Sequence, residues 1–272
     1  MAKSIRPRRV SHPNLIMEDY EASLAHLTKV YGARFLLDLP KPEWHACLVE
    51  IGGMIFEVFC PPNFLLHTRH GPQYLGIEYE ADMTEVRQSV ADHGVRIVRE
   101  LQVAIHSNPA DCFGVDFEFY EGSFFANTPA VLQKTVAPLS YWTDEQPLGL
   151  AGLKAYTLAV SDIAKASAFI KSFISGEQLY DEARPAIGAR AIGLQVADSV
   201  LELITPTGPG ATLTELQRIG EGIHSMIFSV RDLDKTRSEL EKHGVKLVAG
   251  TKPGRLATTP ETNRGIVFEF EV

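Results

Sequence analysis

The stretch "HSMIFSVRDLDKTRSELEKHGV", residues 224–245, changes its pattern halfway along. It opens as a largely apolar run, which favours a buried strand. Asp232 follows, where its side chain would accept hydrogen bonds from the free backbone N–H groups of a helix and complement the positive helix end. Gly244 suits the left-handed residue that ends a helix. The stretch therefore predicts a strand, a capped helix and a sharp exit.

The same plan occurs three more times, at residues 12–32, 74–94 and 155–176. Each copy has an aspartate before its helix and a glycine after it: Asp19 and Gly32, Asp82 and Gly94, Asp162 and Gly176. Shorter apolar runs follow each copy, such as "MIFEVFC" and "DFEFYEG". Self-similarity at a regular spacing indicates a repeated architecture, here a βαβββ unit in four copies.

Residues 124–152, "FFANTPAVLQKTVAPLSYWTDEQPLGLAG", interrupt the repeat with three prolines and no clear periodicity. Such a segment is typical of a connection between domains. We therefore expect a first domain at residues 10–123, a linker at 124–151 and a second domain at 152–272.

The composition is that of a globular chain, with 45% hydrophobic and 22% charged residues and a net charge of −8. No apolar run reaches the roughly 18–20 residues of a membrane span, and no apolar signal core follows the basic start "MAKSIRPRRV". The absence of a long basic stripe argues against nucleic-acid binding. Three widely spaced cysteines without a CxxC motif favour reduced thiols. We expect a cytoplasmic protein that binds a small-molecule substrate and neither a membrane nor a nucleic acid. Whether it forms a homo-oligomer stays open.

The repeat resembles the vicinal oxygen chelate superfamily, most clearly in "YTLAVSDIAKASAF" and "IHSMIFSVRDLDKTRSELEKHGV". This superfamily includes glyoxalase I, extradiol dioxygenases, methylmalonyl-CoA epimerase and bleomycin-resistance proteins. The resemblance covers nearly the whole chain after residue 10. It implies an α+β fold in which four βαβββ modules pair into two open half-barrel domains, with a metal on the concave side of the sheet. It does not specify the reaction, since a fold alone never fixes function.

Three side chains are candidate metal ligands. Alternation along the first strand places His12 on the face opposite the apolar residues that should pack under the helix. Glu57 and Glu118 are single carboxylates within apolar last strands, and a buried carboxylate is costly unless it is paired or bound to metal. The superfamily places its ligands on these same strands. The resemblance thus implies that His12, Glu57 and Glu118 bind one divalent ion, and these ligands do not rank Fe, Mn, Zn, Co and Ni.

The opening strand of the second module departs from the family pattern. Tyr74 stands where many relatives have His or Gln, and it shares the predicted cleft face with Gly76 and Glu78. It is open whether Tyr74 is a ligand, an acid or base, or a packed aromatic residue. We expect the catalytic groups to be Glu57, Tyr74 and Glu118.

Other polar residues are candidates for substrate binding. Arg69 and His70 lie in the loop "HTRHGPQY", and Arg69 could hold a substrate carboxylate through two parallel hydrogen bonds. His45 in "EWHACLVE" could point into the cleft, and His106 in "AIHSNPADCFG" could reach it from a loop end.

The second pair of modules keeps the carboxylates and lacks the histidine. Glu202 and Glu269 match the two predicted glutamate ligands, whereas Ala155 stands at the position of His12 and Ser225 at the fourth corner. We expect the second domain to be a degenerate copy.

These features favour a metal-dependent enzyme that acts on a small oxygenated substrate. Aromatic compounds are among the candidate substrates. Metal-stabilised enolate or oxyanion chemistry would make it a lyase, an isomerase or a hydrolytic enzyme. One alternative is an extradiol-type ring-cleaving dioxygenase, which would require His67 or His70 as a second nitrogen ligand. Another alternative is a metal-free binding or resistance protein.

Overall fold

The computed structural model describes residues 2–40, 45–60, 71–127, 132 and 134–272. The strands in these residues form two eight-stranded mixed sheets, neither of which closes on itself, and a helix follows the first strand of each module. The predicted α+β class, with four βαβββ modules paired into two open half-barrels, is confirmed. None of the helices in the described part of the chain is both long and apolar enough to cross a membrane.

The first sheet contains the strands of modules one and two in the order β2-β3-β4-β1-β5-β8-β7-β6. Its strands are β1 Arg9–Ile16, β2 Arg34–Pro40, β3 His45–Ile51, β4 Met54–Cys60, β5 Gln73–Ala81, β6 Ile97–Glu100, β7 Ala104–Ser107 and β8 Asp116–Glu121.

The second sheet repeats this order with modules three and four, as β10-β11-β12-β9-β13-β16-β15-β14. Its strands are β9 Leu150–Ala159, β10 Glu177–Arg184, β11 Ala189–Val196, β12 Ser199–Pro206, β13 Gly222–Val230, β14 Leu247–Ala249, β15 Leu256–Thr258 and β16 Phe268–Glu271. The first and last strands of each module are parallel neighbours. Parallel neighbours cannot be joined by a tight hairpin, and this pairing places each module's terminal strands at the centre of a sheet.

The helices are α1 Tyr20–Tyr31, α2 Met83–His93, α3 Phe124–Asn127, α4 Ile163–Phe173, α5 Ala211–Ile219 and α6 Leu233–Lys242. The four predicted aspartates all cap their helices with a side-chain oxygen. Gly32, Gly94 and Gly244 adopt the predicted left-handed conformation. The prediction for Gly176 is wrong, because Ser175 takes the left-handed position after α4, with φ 55°.

Packing groups the chain into two compact units. One contains the residues before His12 together with Leu75–Asn127 and Ala155–His224. Its interior includes Phe117, Phe119 and Phe173, whose rings meet edge to face.

The other unit contains His12–Tyr74, Thr128–Lys154 and Ser225–Val272. Phe56 and Phe268 lie in its interior with ring centroids 5.8 Å apart. Burial of such large rings is the main favourable contribution to folding.

Part of the predicted linker is packed rather than exposed. A single turn of π-helix, Tyr141–Glu145, carries the fully buried Trp142. The indole Nε1 of Trp142 donates a hydrogen bond to Glu50 Oε1 at 3.1 Å. The domain limits at residues 10–123 and 152–272 stay a prediction.

Two of the cysteines, Cys47 and Cys112, are buried free thiols. Burial raises the pKa of Cys112 to about 12, so its thiol stays protonated at neutral pH and behaves as a small apolar side chain.

Candidate metal centre

Three buried side chains of the first sheet converge. His12, Glu78 and Glu118 each offer one ligand atom, and these atoms all lie within 4.8 Å of one another. The residues are 3%, 2% and 6% exposed. Their strands β1, β5 and β8 are consecutive in the sheet. Among the described residues this is the one group of three or more His, Cys, Asp or Glu side chains close enough to hold a metal ion.

The pairing of β5 with β8 explains why two glutamates meet there. The strands are parallel, and Glu78 lies directly opposite Glu118. Two residues earlier Gly76 lies opposite Asp116, and a Cβ added at Gly76 would lie 1.9 Å from the backbone oxygen of Asp116. The strands can approach this closely only because residue 76 has no side chain.

A second buried pair of charges adjoins Glu118. β7 pairs with β8 in the antiparallel sense, and His106 lies opposite Glu118. The His106 Nε2 atom is 3.0 Å from Glu118 Oε1, and its Nδ1 donates a hydrogen bond to Asp116 Oδ2 at 2.9 Å. Burial lowers the pKa of His106, but the negative charge of Glu118 and the hydrogen bond to Asp116 outweigh burial and raise the pKa to about 10. His106 is therefore an imidazolium at neutral pH.

The converging group differs in one member from the set His12, Glu57 and Glu118 expected from the sequence. Glu78 takes part and Glu57 does not. Glu57 lies on β4, on the other side of β1, where it faces Asn14 across the parallel pairing. Its Oε2 is nevertheless 3.4 Å from His12 Nε2. A ligand role for Glu57 stays a prediction.

Glu78 had a partial signal in the sequence. Alternation placed it with Tyr74 and Gly76 on the cleft face of β5. The superfamily pattern, however, favoured Tyr74 at the start of that strand as the candidate ligand. The deciding fact is the register between β5 and β8, which brings the middle of β5 level with Glu118.

The Tyr74 hydroxyl is held by a backbone contact. Its hydroxyl is buried and donates a hydrogen bond to the backbone oxygen of Val267 at 2.8 Å. Burial raises its pKa well above the ordinary value. Of the three open interpretations this contact favours the packed aromatic residue, and a catalytic role for Tyr74 stays a prediction without support from the geometry.

His45 is held by neighbours on its own module. Its ring stacks on Tyr20 with centroids 4.0 Å apart, and its Nε2 lies 2.5 Å from Asp38 Oδ1. Arg69 and His70, the other predicted substrate-binding residues, lie outside the described residues.

The equivalent glutamates of the second sheet have cationic partners. Glu202 Oε1 lies 3.5 Å from an Nη2 of the buried Arg184 and accepts a hydrogen bond from the Tyr180 hydroxyl. Thr157, on β9, places its Oγ1 3.5 Å from the other oxygen of Glu202.

Glu269 is held in the same manner by different residues. The Ser225 hydroxyl donates to its Oε1 at 2.6 Å, and Thr251 donates to its Oε2 through both backbone N–H and hydroxyl at 2.9 Å. Arg255 Nη1 lies 4.0 Å from the same oxygen.

The residues of the first sheet fit a divalent cation. The donor set of one imidazole and two carboxylates suits Fe, Mn, Zn, Co or Ni. Asp116 and Glu118 both lie beside the His106 ring, and the buried Glu78 lies opposite Glu118 on the neighbouring strand. Buried negative charge is costly without compensation, and a divalent ion would supply it.

Comparisons with known proteins agree with this fold. Residues 156–260 match the family model described as the Glyoxalase/Bleomycin resistance protein/Dioxygenase superfamily. These residues belong to that superfamily. The matched residues lie in modules three and four. The converging side chains His12, Glu78 and Glu118 lie in modules one and two. None of the proteins of curated function matches the chain.

Solved structures of the vicinal oxygen chelate fold cover nearly all of the chain. A triple mutant of 4-hydroxymandelate synthase from Streptomyces coelicolor is 14% identical, with a TM-score of 0.72 over 97% of this chain and 92% of that one. A xylose isomerase-like TIM barrel/4-hydroxyphenylpyruvate dioxygenase fusion protein is 12% identical, with a TM-score of 0.66 over 99% of this chain and 49% of that one. Methylmalonyl-CoA epimerase from Mycobacterium tuberculosis is 23% identical over 44% of this chain and 87% of that one, with a TM-score of 0.42. At these identities the likeness shows the fold alone.

Proposed function

We propose that the protein is a metal-dependent enzyme that acts on a small oxygenated substrate and holds one divalent ion between His12, Glu78 and Glu118. The observation that carries the proposal is the convergence of these three buried side chains within 4.8 Å. Glu78 and Glu118 come from the paired strands β5 and β8, so their relative positions are fixed before any ion binds.

A bound divalent ion supplies Lewis-acid stabilisation of negative charge on two adjacent substrate oxygens. The residues of the chain supply the proton transfer. Glu57, whose side chain is 15% exposed and whose Oε2 lies 3.4 Å from His12 Nε2, is the carboxylate beside the site that solvent and substrate can reach. We assign it the role of the base that accepts a proton from a substrate carbon. Proton transfer of this kind favours lyase or isomerase chemistry.

Ring-cleaving dioxygenase chemistry is the second candidate, since one solved structure of the same fold is a fusion protein that includes a 4-hydroxyphenylpyruvate dioxygenase part. Such sites use two histidines and one carboxylate. In the described residues the converging group has one histidine and two glutamates, and the nearest further histidine, His106, is held by Asp116 and Glu118. The ligand set therefore supports lyase or isomerase chemistry over ring cleavage.

Metal content separates the enzyme from the metal-free binding protein. Protein purified without chelator should contain about one divalent ion per chain by elemental analysis, as expected for one site. Absence of metal, also after reconstitution with Fe, Mn, Co, Ni and Zn in turn, would refute the proposal and leave the binding protein.

Activity of the loaded protein separates the two reaction classes. A panel of 2-hydroxy acids, 2-oxo acids and catechols presents two adjacent oxygens. Exchange of a substrate proton with deuterated solvent, without dioxygen uptake, is expected; the Glu57→Gln variant should keep the metal and lose the exchange. Dioxygen uptake with a catechol or a 2-oxo acid would instead support a dioxygenase.

A further inference from the structure

We propose that His106 and Asp116 form a positioning pair that orients Glu118 toward the metal ion and thereby sets the metal affinity of the site. This inference rests on the proposed function. It assigns a role to two buried residues, His106 and Asp116, that act through Glu118.

The contacts define a chain of three groups. Asp116 Oδ2 accepts the hydrogen bond of His106 Nδ1 at 2.9 Å, and His106 Nε2 lies 3.0 Å from Glu118 Oε1. Each ring nitrogen of His106 thus lies beside one carboxylate, Nδ1 beside Asp116 and Nε2 beside Glu118. All three groups are at most 6% exposed, and water therefore competes little for these interactions.

The backbone fixes this chain. His106 lies opposite Glu118 in the antiparallel pairing of β7 with β8, and Asp116 is two residues before Glu118 on the same face of β8. On the opposite side of β8 from β7, the backbone of Asp116 packs closely against Gly76 of β5. The His106 ring therefore meets Glu118 Oε1 at a defined place and restricts rotation of that carboxylate about its terminal bond. A ligand held in its binding orientation loses less freedom on metal binding.

The second sheet lacks the pair at the equivalent positions. Ala257 lies opposite Glu269 where His106 lies opposite Glu118. Val267 stands two residues before Glu269, where Asp116 stands before Glu118. The pair thus accompanies the glutamate that joins the converging group and not its counterpart, which is what a ligand-orienting role requires.

The test compares cobalt binding by stripped wild-type protein and two variants, His106→Gln and Asp116→Asn. Removing an outer partner of a metal ligand typically lowers metal affinity about 10–100-fold, and we expect a loss in that range for His106→Gln, with a shift of the visible absorption bands of Co²⁺. Asp116→Asn keeps the shape of the side chain and removes its charge, so a smaller loss is expected. Ser225→Ala is the matched control, because it removes a hydrogen bond from the equivalent Glu269.

The double variant separates positioning from stability. If both residues act through Glu118, His106→Gln combined with Asp116→Asn should bind cobalt as His106→Gln does alone. Unchanged affinity and unchanged absorption in folded variants would overturn the inference and leave the proposed function intact. Wild-type protein that binds none of Co, Fe, Mn, Ni and Zn would overturn the proposed function itself, and this inference with it. Should His106→Gln fail to fold, the near-isosteric Asp116→Asn decides the matter alone.

Discussion

The two sheets have the same strand order and place glutamates at equivalent positions, yet those glutamates face different partners. In the first sheet Glu118 offers a ligand atom within 4.8 Å of ligand atoms of Glu78 and His12, and the His106 ring lies beside it. In the second sheet Glu202 and Glu269 each lie within 4.0 Å of a buried arginine. A guanidinium always carries its charge, so it can neutralise a glutamate permanently where a metal ion would do so reversibly.

The comparison teaches that a carboxylate in a matching position is not by itself evidence of a site. Its environment decides whether the negative charge is left for a ligand or is balanced by the protein. The second sheet balances its glutamates with its own guanidinium groups, whereas the proposed function assigns the glutamates of the first sheet to a cation.

The largest expected effect is on metal binding, when the charge of one glutamate is removed from each sheet in turn. Glu118→Gln is expected to abolish stoichiometric metal binding, whereas Glu269→Gln should leave about one ion per chain. Elemental analysis and metal titration measure the effect, and denaturation must show both variants folded, because a freed polar group can cost about 1–3 kcal/mol. Metal loss in Glu269→Gln with retention in Glu118→Gln would place the metal site in the second sheet and contradict the proposed function.

The cations of the second sheet should matter for stability rather than for metal binding. Arg184→Ala leaves the buried Glu202 without its guanidinium, and breaking a buried pair typically costs about 3–5 kcal/mol. Urea denaturation should show a loss of that order with unchanged metal content. Arg190→Ala is the control on the neighbouring strand: Arg190 pairs with Asp181 at 2.5 Å at the surface, and little change is expected there. Equal effects of the two variants would contradict the structural role of Arg184.

The close approach of β5 and β8 gives a smaller effect specific to the first sheet. Gly76→Ala places a Cβ 1.9 Å from the Asp116 backbone oxygen, and overpacking typically costs about 1–3 kcal/mol. The variant should lose stability and metal affinity together, since the displaced strand carries Glu78. Gly208→Ala, where no atom lies within 4 Å of the added Cβ, should be neutral; a neutral Gly76→Ala would show that the register is not needed for the site.

The smallest effect on metal binding is expected at Glu57. Because its carboxylate is outside the converging group, Glu57→Gln should change metal affinity by less than the ~10-fold lower limit for an orienting partner. Isothermal titration with Mn²⁺ measures it against wild type. A loss as large as that of Glu118→Gln would instead make Glu57 a ligand, as the sequence pattern suggested.

The sequence by itself determined the module. Local signals give the strand–helix unit: Asp19, Asp82, Asp162 and Asp232 cap helices because their side chains reach backbone donors only a few residues away. Repetition of that unit predicted four βαβββ modules, and alternation along the first strand placed His12 on the face away from the helix; the paired half-barrels were implied by the resemblance. Glu118 was found because a lone carboxylate in an apolar strand is costly.

Tertiary structure decided which partners those residues meet. Glu78 joins His12 and Glu118 through the register of β5 on β8, and His106 reaches Glu118 through the register of β7 on β8. Register is set by packing between segments far apart in the chain, and a shift of one residue would turn every side chain to the opposite face. The same holds for Arg184 and Arg255, whose pairing with Glu202 and Glu269 follows from strand packing rather than from any local pattern. Sequence periodicity assigns a side chain to a face, and only the assembled sheet brings particular faces and positions together.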